Sequence, residues 1–256
     1  MKTILPVALL TFGGLLSTLP LAAQTTNAAP AATTPPATAS TPAPLAGAKP
    51  KGQPIFKAPN FGAPQTRVGG GSRGVNGTNV SLQVLVPEQI ALTTQAMPSL
   101  YWYQSAPAEA HLEVTLVEPH QPKPLLSLKA PSAMSTAGIH RLNLAQHKLS
   151  LKPGVTYRWT VALVTDEKNR SSDLIATGAI QRVEPGKDWG AKLLNASPAE
   201  KVEIYAQEGI WYDALQLLSE LITANPNEPA FRDQRAQLLE QIKLPEAAAA
   251  DKTAAK

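Results

Sequence analysis

The chain has 256 residues, contains no cysteine, and carries a formal net charge of +4. The absence of cysteine excludes thiol catalysis, disulfide bonds and thiolate metal sites. All 19 acidic residues and all but four of the 23 basic residues follow residue 66, so the folded part is close to neutral and shows no clustered basic face for nucleic acid.

The first 23 residues have the pattern of an export signal. Lys2 supplies a positive charge, and the apolar run Ile4–Leu21 is followed by the small residues Ala22–Ala23. This run is short and is interrupted by proline and glycine, so cleavage before Gln24 is favoured over a retained single-span anchor. The sequence therefore predicts a periplasmic or secreted protein of a Gram-negative-type envelope, without stable membrane insertion after cleavage.

Two segments are predicted to be disordered. Residues 24–66 are rich in Ala, Pro and Thr and contain few large apolar side chains, which is typical of a semi-extended linker. Residues 245–256 have a similarly small-residue composition and are predicted to be an unstructured tail.

Residues 67–187 are predicted to form a β-sandwich. Short apolar runs with period-two alternation are separated by Pro, Gly, Asn or Ser, and no helical pattern interrupts them, which favours an antiparallel sandwich. In the sixth run, Tyr157, Trp159 and Val161 share the face that we expect to be core. The seven predicted strands are Val80–Val86, Leu100–Gln104, Leu112–Leu116, Leu125–Lys129, Ile139–Leu144, Val155–Val164 and Leu174–Val183.

Residues 188–244 change to a helical period. Ser197 and Glu200 have the spacing of a capping box, with Pro198 at the first helical position. A second helix is predicted over Trp211–Thr223, and a third carries Phe231–Ile242. The predicted fold class is therefore α+β: a seven-stranded antiparallel sandwich followed by a three-helix C-terminal hairpin packed on it.

Parts of the chain resemble two known architectures. The sandwich is similar to fibronectin type III and related immunoglobulin-like domains, and the helical part is similar to a tetratricopeptide hairpin. Five residues are accordingly expected to be structural: Trp102 in the second strand, Leu151 and Tyr157 in a tyrosine-corner turn, Trp159 in the sixth strand, and Trp211 in the helices.

Six segments between residue 68 and about 243 share a pattern with a known family: Gly69–Gly74, Leu85–Glu88, Pro98–Tyr103, Tyr157–Trp159, Arg170–Asp173 and Gly209–Leu215. In these segments and their order, the region resembles the bacterial family catalogued as domain of unknown function 928. The resemblance implies an exported protein and assigns no activity. Members often carry a cysteine after the glycine-rich segment, where this chain has Val75–Asn76, so no thiol role transfers.

A charged loop between the last two predicted strands is a candidate partner-binding surface, because rigid strands position such loops for recognition. The alternative is a solvated hairpin turn in which Arg170 pairs with Asp173. The candidate residues are Asp166, Glu167, Lys168, Arg170 and Asp173.

Tyr101 and Tyr103 flank Trp102 on the opposite face of the second strand. They are a candidate aromatic face for a ligand such as a sugar, and the alternative is that the helices pack on them.

No catalytic, metal or cofactor site is predicted. The four histidines show no metal-ligand spacing, and the Gly-x-Gly-x-x-Gly pattern that starts at Gly69 follows a proline-rich segment instead of a strand. The sequence favours a non-enzymatic interaction or structural module of the cell envelope with a protein partner. The alternatives are a periplasmic ligand- or glycan-binding protein and an enzyme.

Overall fold

The computed structural model describes residues 44–59, 62, 67–69, 79–130 and 136–253. The export signal, the N-terminal part of the linker and most of the glycine-rich segment lie outside these residues. All of the described residues belong to one compact unit, which contains both the strands and the helices. No helix within the described ranges is long and apolar enough to cross a membrane.

The described residues form two β-sheets and five α-helices. Two short 3-10 turns lie at Leu144–His147 and Arg170–Ser172. The strands are β1 (Val68–Gly69), β2 (Leu82–Val84), β3 (Ala91–Thr93), β4 (Ser99–Gln104), β5 (His111–Val117), β6 (Leu126–Ala130), β7 (Gly138–Asn143), β8 (Thr156–Val164) and β9 (Leu174–Arg182), and the helices are α1 (Lys187–Asn195), α2 (Pro198–Gln207), α3 (Trp211–Ala224), α4 (Pro229–Gln241) and α5 (Pro245–Thr253).

The four-stranded sheet has the order β1-β2-β4-β7, and the five-stranded sheet has the order β3-β9-β8-β5-β6. Every pairing is antiparallel except that of β3 with β9, where Ala91 lies opposite Ile180. The prediction of seven strands was therefore incomplete. β1 and β3 have only two and three residues, too few to show a period-two pattern.

The core of the sandwich follows the predicted alternation. On β5, Leu112, Val114 and Leu116 are buried while the residues between them are partly exposed. Trp102 of the four-stranded sheet and Trp159 of the five-stranded sheet are both fully buried. The tyrosine-corner prediction is confirmed in its geometry, because the Lys152 backbone N–H donates to the hydroxyl of the buried Tyr157 over 3.0 Å.

The helical region contains five helices instead of three. The capping box of α2 is confirmed: Ser197 and Glu200 satisfy each other's backbone N–H groups. The prediction did not include α1, and it treated the residues of α5 as a disordered tail, which was wrong for Pro245–Thr253. The residues of α5 lack the large apolar side chains that a helical period needs. Polar contacts tie this helix to α4, through Arg235 and Asp251, and to β2, through Gln83 and Glu246.

The first three residues of α3 attach the helices to the sandwich. The Trp211 indole N–H donates to the Leu85 carbonyl over 2.8 Å. The Tyr212 hydroxyl accepts from the Trp159 indole N–H over 2.8 Å and donates to the Ala179 carbonyl over 3.2 Å.

Asp213, the third of these residues, is also buried against the sandwich. Its carboxylate accepts hydrogen bonds from the Thr93 hydroxyl over 2.6 Å and from the Thr94 backbone N–H over 3.1 Å. Burial raises the pKa of Asp213, and the threonine hydrogen bonds act in the opposite direction. The helices and the sandwich therefore share a polar, buried contact surface.

Candidate functional site

A segment of residues 44–59, which we call the strap, lies across α2, α3 and α4 and begins with a turn, in which the Ala48 N–H donates to the Leu45 carbonyl. It contains no helix or strand, and it carries prolines at positions 44, 50, 54 and 59. The sequence predicted this segment to be part of a disordered linker, and for the strap that prediction was wrong. The rest of the predicted linker lies outside the described residues, apart from residue 62.

Three amide side chains hold the main chain of the strap. Asn225, the C-cap of α3, accepts from the Gly47 N–H over 2.6 Å and donates to the Leu45 carbonyl over 2.8 Å. Gln234 and Gln241 lie seven residues apart on α4, which is about two helical turns. Both therefore present their amides on the same side of the helix.

The two glutamines make the corresponding contacts further along the strap. The Gln234 amide nitrogen donates to the carbonyls of Lys51 and Gly52 over 2.6 and 2.7 Å. Gln241 donates to the Pro54 carbonyl over 2.9 Å and accepts from the Phe56 N–H over 2.8 Å. These contacts are made with the backbone, so they depend on an extended conformation more than on side-chain identity.

Between Pro54 and Phe56, the side chains of the strap alternate between the helices and solvent. Pro54 is buried, Ile55 is 64% exposed, and the ring of Phe56 packs edge-on against Trp211 with centroids 4.9 Å apart. Beyond Phe56, the Lys57 N–H donates to the Ala206 carbonyl over 3.0 Å. The strap therefore passes directly over the turn between α2 and α3.

This close approach requires glycine at position 209. Gly209 has a φ of +73°, and a Cβ atom there would lie 2.8 Å from the Lys57 carbonyl oxygen. Any side chain at this position would be strained and would press on the strap backbone.

Acidic side chains of α2 face the basic part of the strap. The Lys51 ammonium lies 2.6 Å from the Glu200 carboxylate, which also accepts from the Ser197 hydroxyl. The hydrogen bond with Lys51 is the main reason that the pKa of Glu200 falls to about 2, and the Ser197 bonds add to it. Glu203 lies beside Gly52, and a shallow cavity of about 370 Å³ next to these carboxylates extends towards Lys192 and Gln207.

The charged loop predicted to bind a partner lies between β8 and β9, as expected. Arg170 pairs with Asp173 over 2.6 Å, and it also pairs with Glu113 of β5 over 2.7 Å. Glu167 pairs with Lys129 of β6, and these pairs lower the pKa of both Glu113 and Glu167. The Asp166 carboxylate accepts from the Lys168 backbone N–H over 2.8 Å. Most charged side chains of the loop are thus engaged within the protein.

The predicted aromatic face is not a surface. Tyr101 and Tyr103 are 2% and 6% exposed, and burial raises the pKa of both hydroxyls. Tyr101 lies near Ser219 and Glu220 of α3, and Tyr103 lies near Glu246 of α5. The helices therefore cover this face, and it cannot stack on a sugar ring in this structure.

The sequence did not predict the residues that hold the strap. No role was expected for Asn225, which follows the second predicted helix, or for Gln234 and Gln241 in the third. Their seven-residue spacing on one helix face was the available signal, but glutamine at such a spacing is common on exposed helices. Within the part of the chain that the structure describes, no cluster of His, Asp and Glu could hold a metal ion.

Comparison with known proteins gives one family match. A family model described as Domain of Unknown Function (DUF928) matches residues 68–252. No curated protein matches the chain. Among solved structures, a multi-domain immunophilin from Arabidopsis thaliana is 11% identical over 69% of this chain and 93% of its own, with a TM-score of 0.17. A similarity that low carries no argument about fold or function.

Proposed function

Since this chain belongs to the DUF928 family, whose description assigns no function, we propose from its own geometry that it is a non-enzymatic interaction module of the cell envelope. The module binds an extended segment of a partner protein on the face of α2, α3 and α4 that holds the strap, which we call the strap face.

The observation that carries this proposal is the way the strap is held. Asn225 and Gln241 each bond both a carbonyl and an N–H of the strap backbone, and Gln234 bonds two further carbonyls. Beyond its turn at Leu45–Ala48, the strap is a proline-rich segment, and such a segment in extended conformation has no internal hydrogen bonds, so its carbonyls are free to accept such donors. Helical repeats and proline-recognition domains bind extended peptides by comparable physical means.

The envelope location is part of the proposal and rests on the export pattern of residues 1–23. Expression in a Gram-negative host, followed by fractionation and N-terminal sequencing, tests it. We expect the chain in the periplasm or the medium, starting at Gln24. A full-length chain retained in the cytoplasm would contradict the location.

The binding surface is tested by capturing partners from envelope extract with the mature chain and identifying them by mass spectrometry. We expect the double variant Gln234→Ala/Gln241→Ala to lose partners that the wild type retains. Asp233→Ala, an exposed position on the same helix, is the matched control.

The same assay separates the strap face from the charged loop. If the variant Lys168→Glu/Arg170→Glu loses the partners while Gln234→Ala/Gln241→Ala keeps them, the loop is the contact surface and the strap-face proposal is wrong. Circular dichroism of each variant shows that folding is intact.

A further inference from the structure

We propose that the strap face reads a sequence, Lys-x-x-Pro-x-Phe in extended conformation, and that a separate partner protein carrying such a segment replaces the strap there. This inference rests on the proposed function and adds the chemistry of the ligand. In the strap the three positions that are read are Lys51, Pro54 and Phe56.

The backbone contacts fix the register of the bound segment. Gln241 bonds the carbonyl of Pro54 and the N–H of Phe56, so it spans Ile55. The side chains at 54 and 56 then face the helices, and Ile55 is 64% exposed. A partner can therefore carry any residue at the position of Ile55.

Proline fits the buried position for a chemical reason. Pro54 is buried, its carbonyl accepts from Gln241, and it has no N–H. Any other residue would bring an additional backbone N–H into this buried position, where it would need its own hydrogen-bond partner.

Phenylalanine at position 56 rests on a rigid surface. Trp211, against which its ring packs, is fully buried, and its indole N–H is held by the Leu85 carbonyl. Because this aromatic surface is already ordered, a partner's ring binds there without the cost of fixing the indole.

Acidic side chains of α2 specify a basic residue at the position of Lys51. Glu200 contacts the Lys51 ammonium and is itself oriented by Ser197, and Glu203 adds a second carboxylate nearby. A basic residue is attracted here, whereas an acidic one would face two carboxylates. This complementarity identifies the partner as a protein with a basic, proline-containing extended segment.

The strap acts as a competitor for the partner, because it is part of the same chain. A tethered segment of this kind has an effective concentration of about millimolar, so a free partner binds only when it outcompetes the strap or when the strap is weakened. The strap therefore sets the threshold for binding.

The test uses the full-length mature chain and a fluorescein-labelled peptide with the sequence of residues 49–59, followed by fluorescence anisotropy. In the variant Pro54→Ser/Phe56→Ala the strap is weakened while the strap face is unchanged. We expect it to bind the peptide at least roughly tenfold more tightly than the wild type does. The matched control Ile55→Ala, which changes an exposed strap residue, is expected to behave as the wild type.

Altered peptides separate the inference from the proposed function. Peptides carrying Lys51→Glu or Phe56→Ala are expected to bind at least severalfold more weakly than the parent peptide, and Ile55→Ala equally well. If all four peptides bind alike, the inferred Lys-x-x-Pro-x-Phe specificity is wrong, while the proposal that the strap face binds an extended peptide stands. If no peptide binds a strap variant with native circular dichroism, both proposals are wrong.

Two further measurements complete the test. If the mature chain is a dimer that the peptide converts to a monomer in light scattering, the occupant is the strap of a second copy, and the inference of a separate partner is overturned. If the strap variant does not fold, excess peptide that carries a nitroxide spin label at the exposed position of Ile55 is added to the isotope-labelled wild type. Side-chain amide signals of Gln234 and Gln241 that are not broadened by the label would then overturn the inference.

Discussion

The substitution Asp251→Asn tests what holds α5 on the protein. Asp251 is 2% exposed, and its carboxylate accepts two hydrogen bonds of 2.7 Å from Arg235, which is itself 7% exposed. Arg232 lies 3.7 Å from the same carboxylate. Without the negative charge, Arg235 keeps its bond to Ser219 but remains a buried cation without an anion.

Breaking a buried ion pair in this way typically costs about 3–5 kcal/mol. The loss here has an upper limit, because α5 can detach and expose Arg235 to water. Detachment of α5 removes from the core mainly Ala247 and Ala248, which carry little apolar area. We therefore expect Asp251→Asn to lower the free energy of unfolding by about 3 kcal/mol, near the low end of the range.

Urea denaturation at pH 7 measures this change, and hydrogen exchange of the α5 amides shows whether the helix has detached. Lys252→Ala is the matched control, because it removes only the exposed pair with Glu240 and should cost less than about 1 kcal/mol. The double variant Arg235→Met/Asp251→Leu should recover most of the loss. An unchanged midpoint for Asp251→Asn would show that the ion pair does not order α5.

Three other predictions follow from the fold. Tyr157→Phe removes the acceptor of the Lys152 N–H and should cost about 1–2 kcal/mol in urea denaturation, and an unchanged midpoint would count against the tyrosine corner. For Glu200, whose pKa is lowered to about 2 from 4.5, the stability gained over Glu200→Gln should be fully present above pH 4.5 and disappear as the pH falls through about 2, as measured by thermal unfolding at a series of pH values. A fragment of residues 190–245 should be poorly ordered by circular dichroism, because the contacts of Trp211 and Tyr212 with the sandwich are absent, and a cooperative helical fragment would refute this.

The sequence by itself determined the parts of this protein whose signal is local. The alternation of Leu112, Val114 and Leu116 specifies the buried face of β5, because side chains alternate across a strand. The capping box of α2 and the tyrosine corner are also local, since their partners lie three and five residues apart. All seven predicted strands correspond to strands of the structure for this reason.

The tertiary structure decided the parts held by polar contacts between distant residues. Asn225 contacts Gly47 from 178 residues away, and Asp251 is tied to α4 by Arg235. A strap or a helix held in this way needs no large apolar side chains, so it has no hydrophobic period, and its composition resembles that of a disordered chain. For Tyr101 and Tyr103 the sequence left two alternatives open, a ligand surface or a face covered by the helices, and only the packing of α3 and α5 decided for the second.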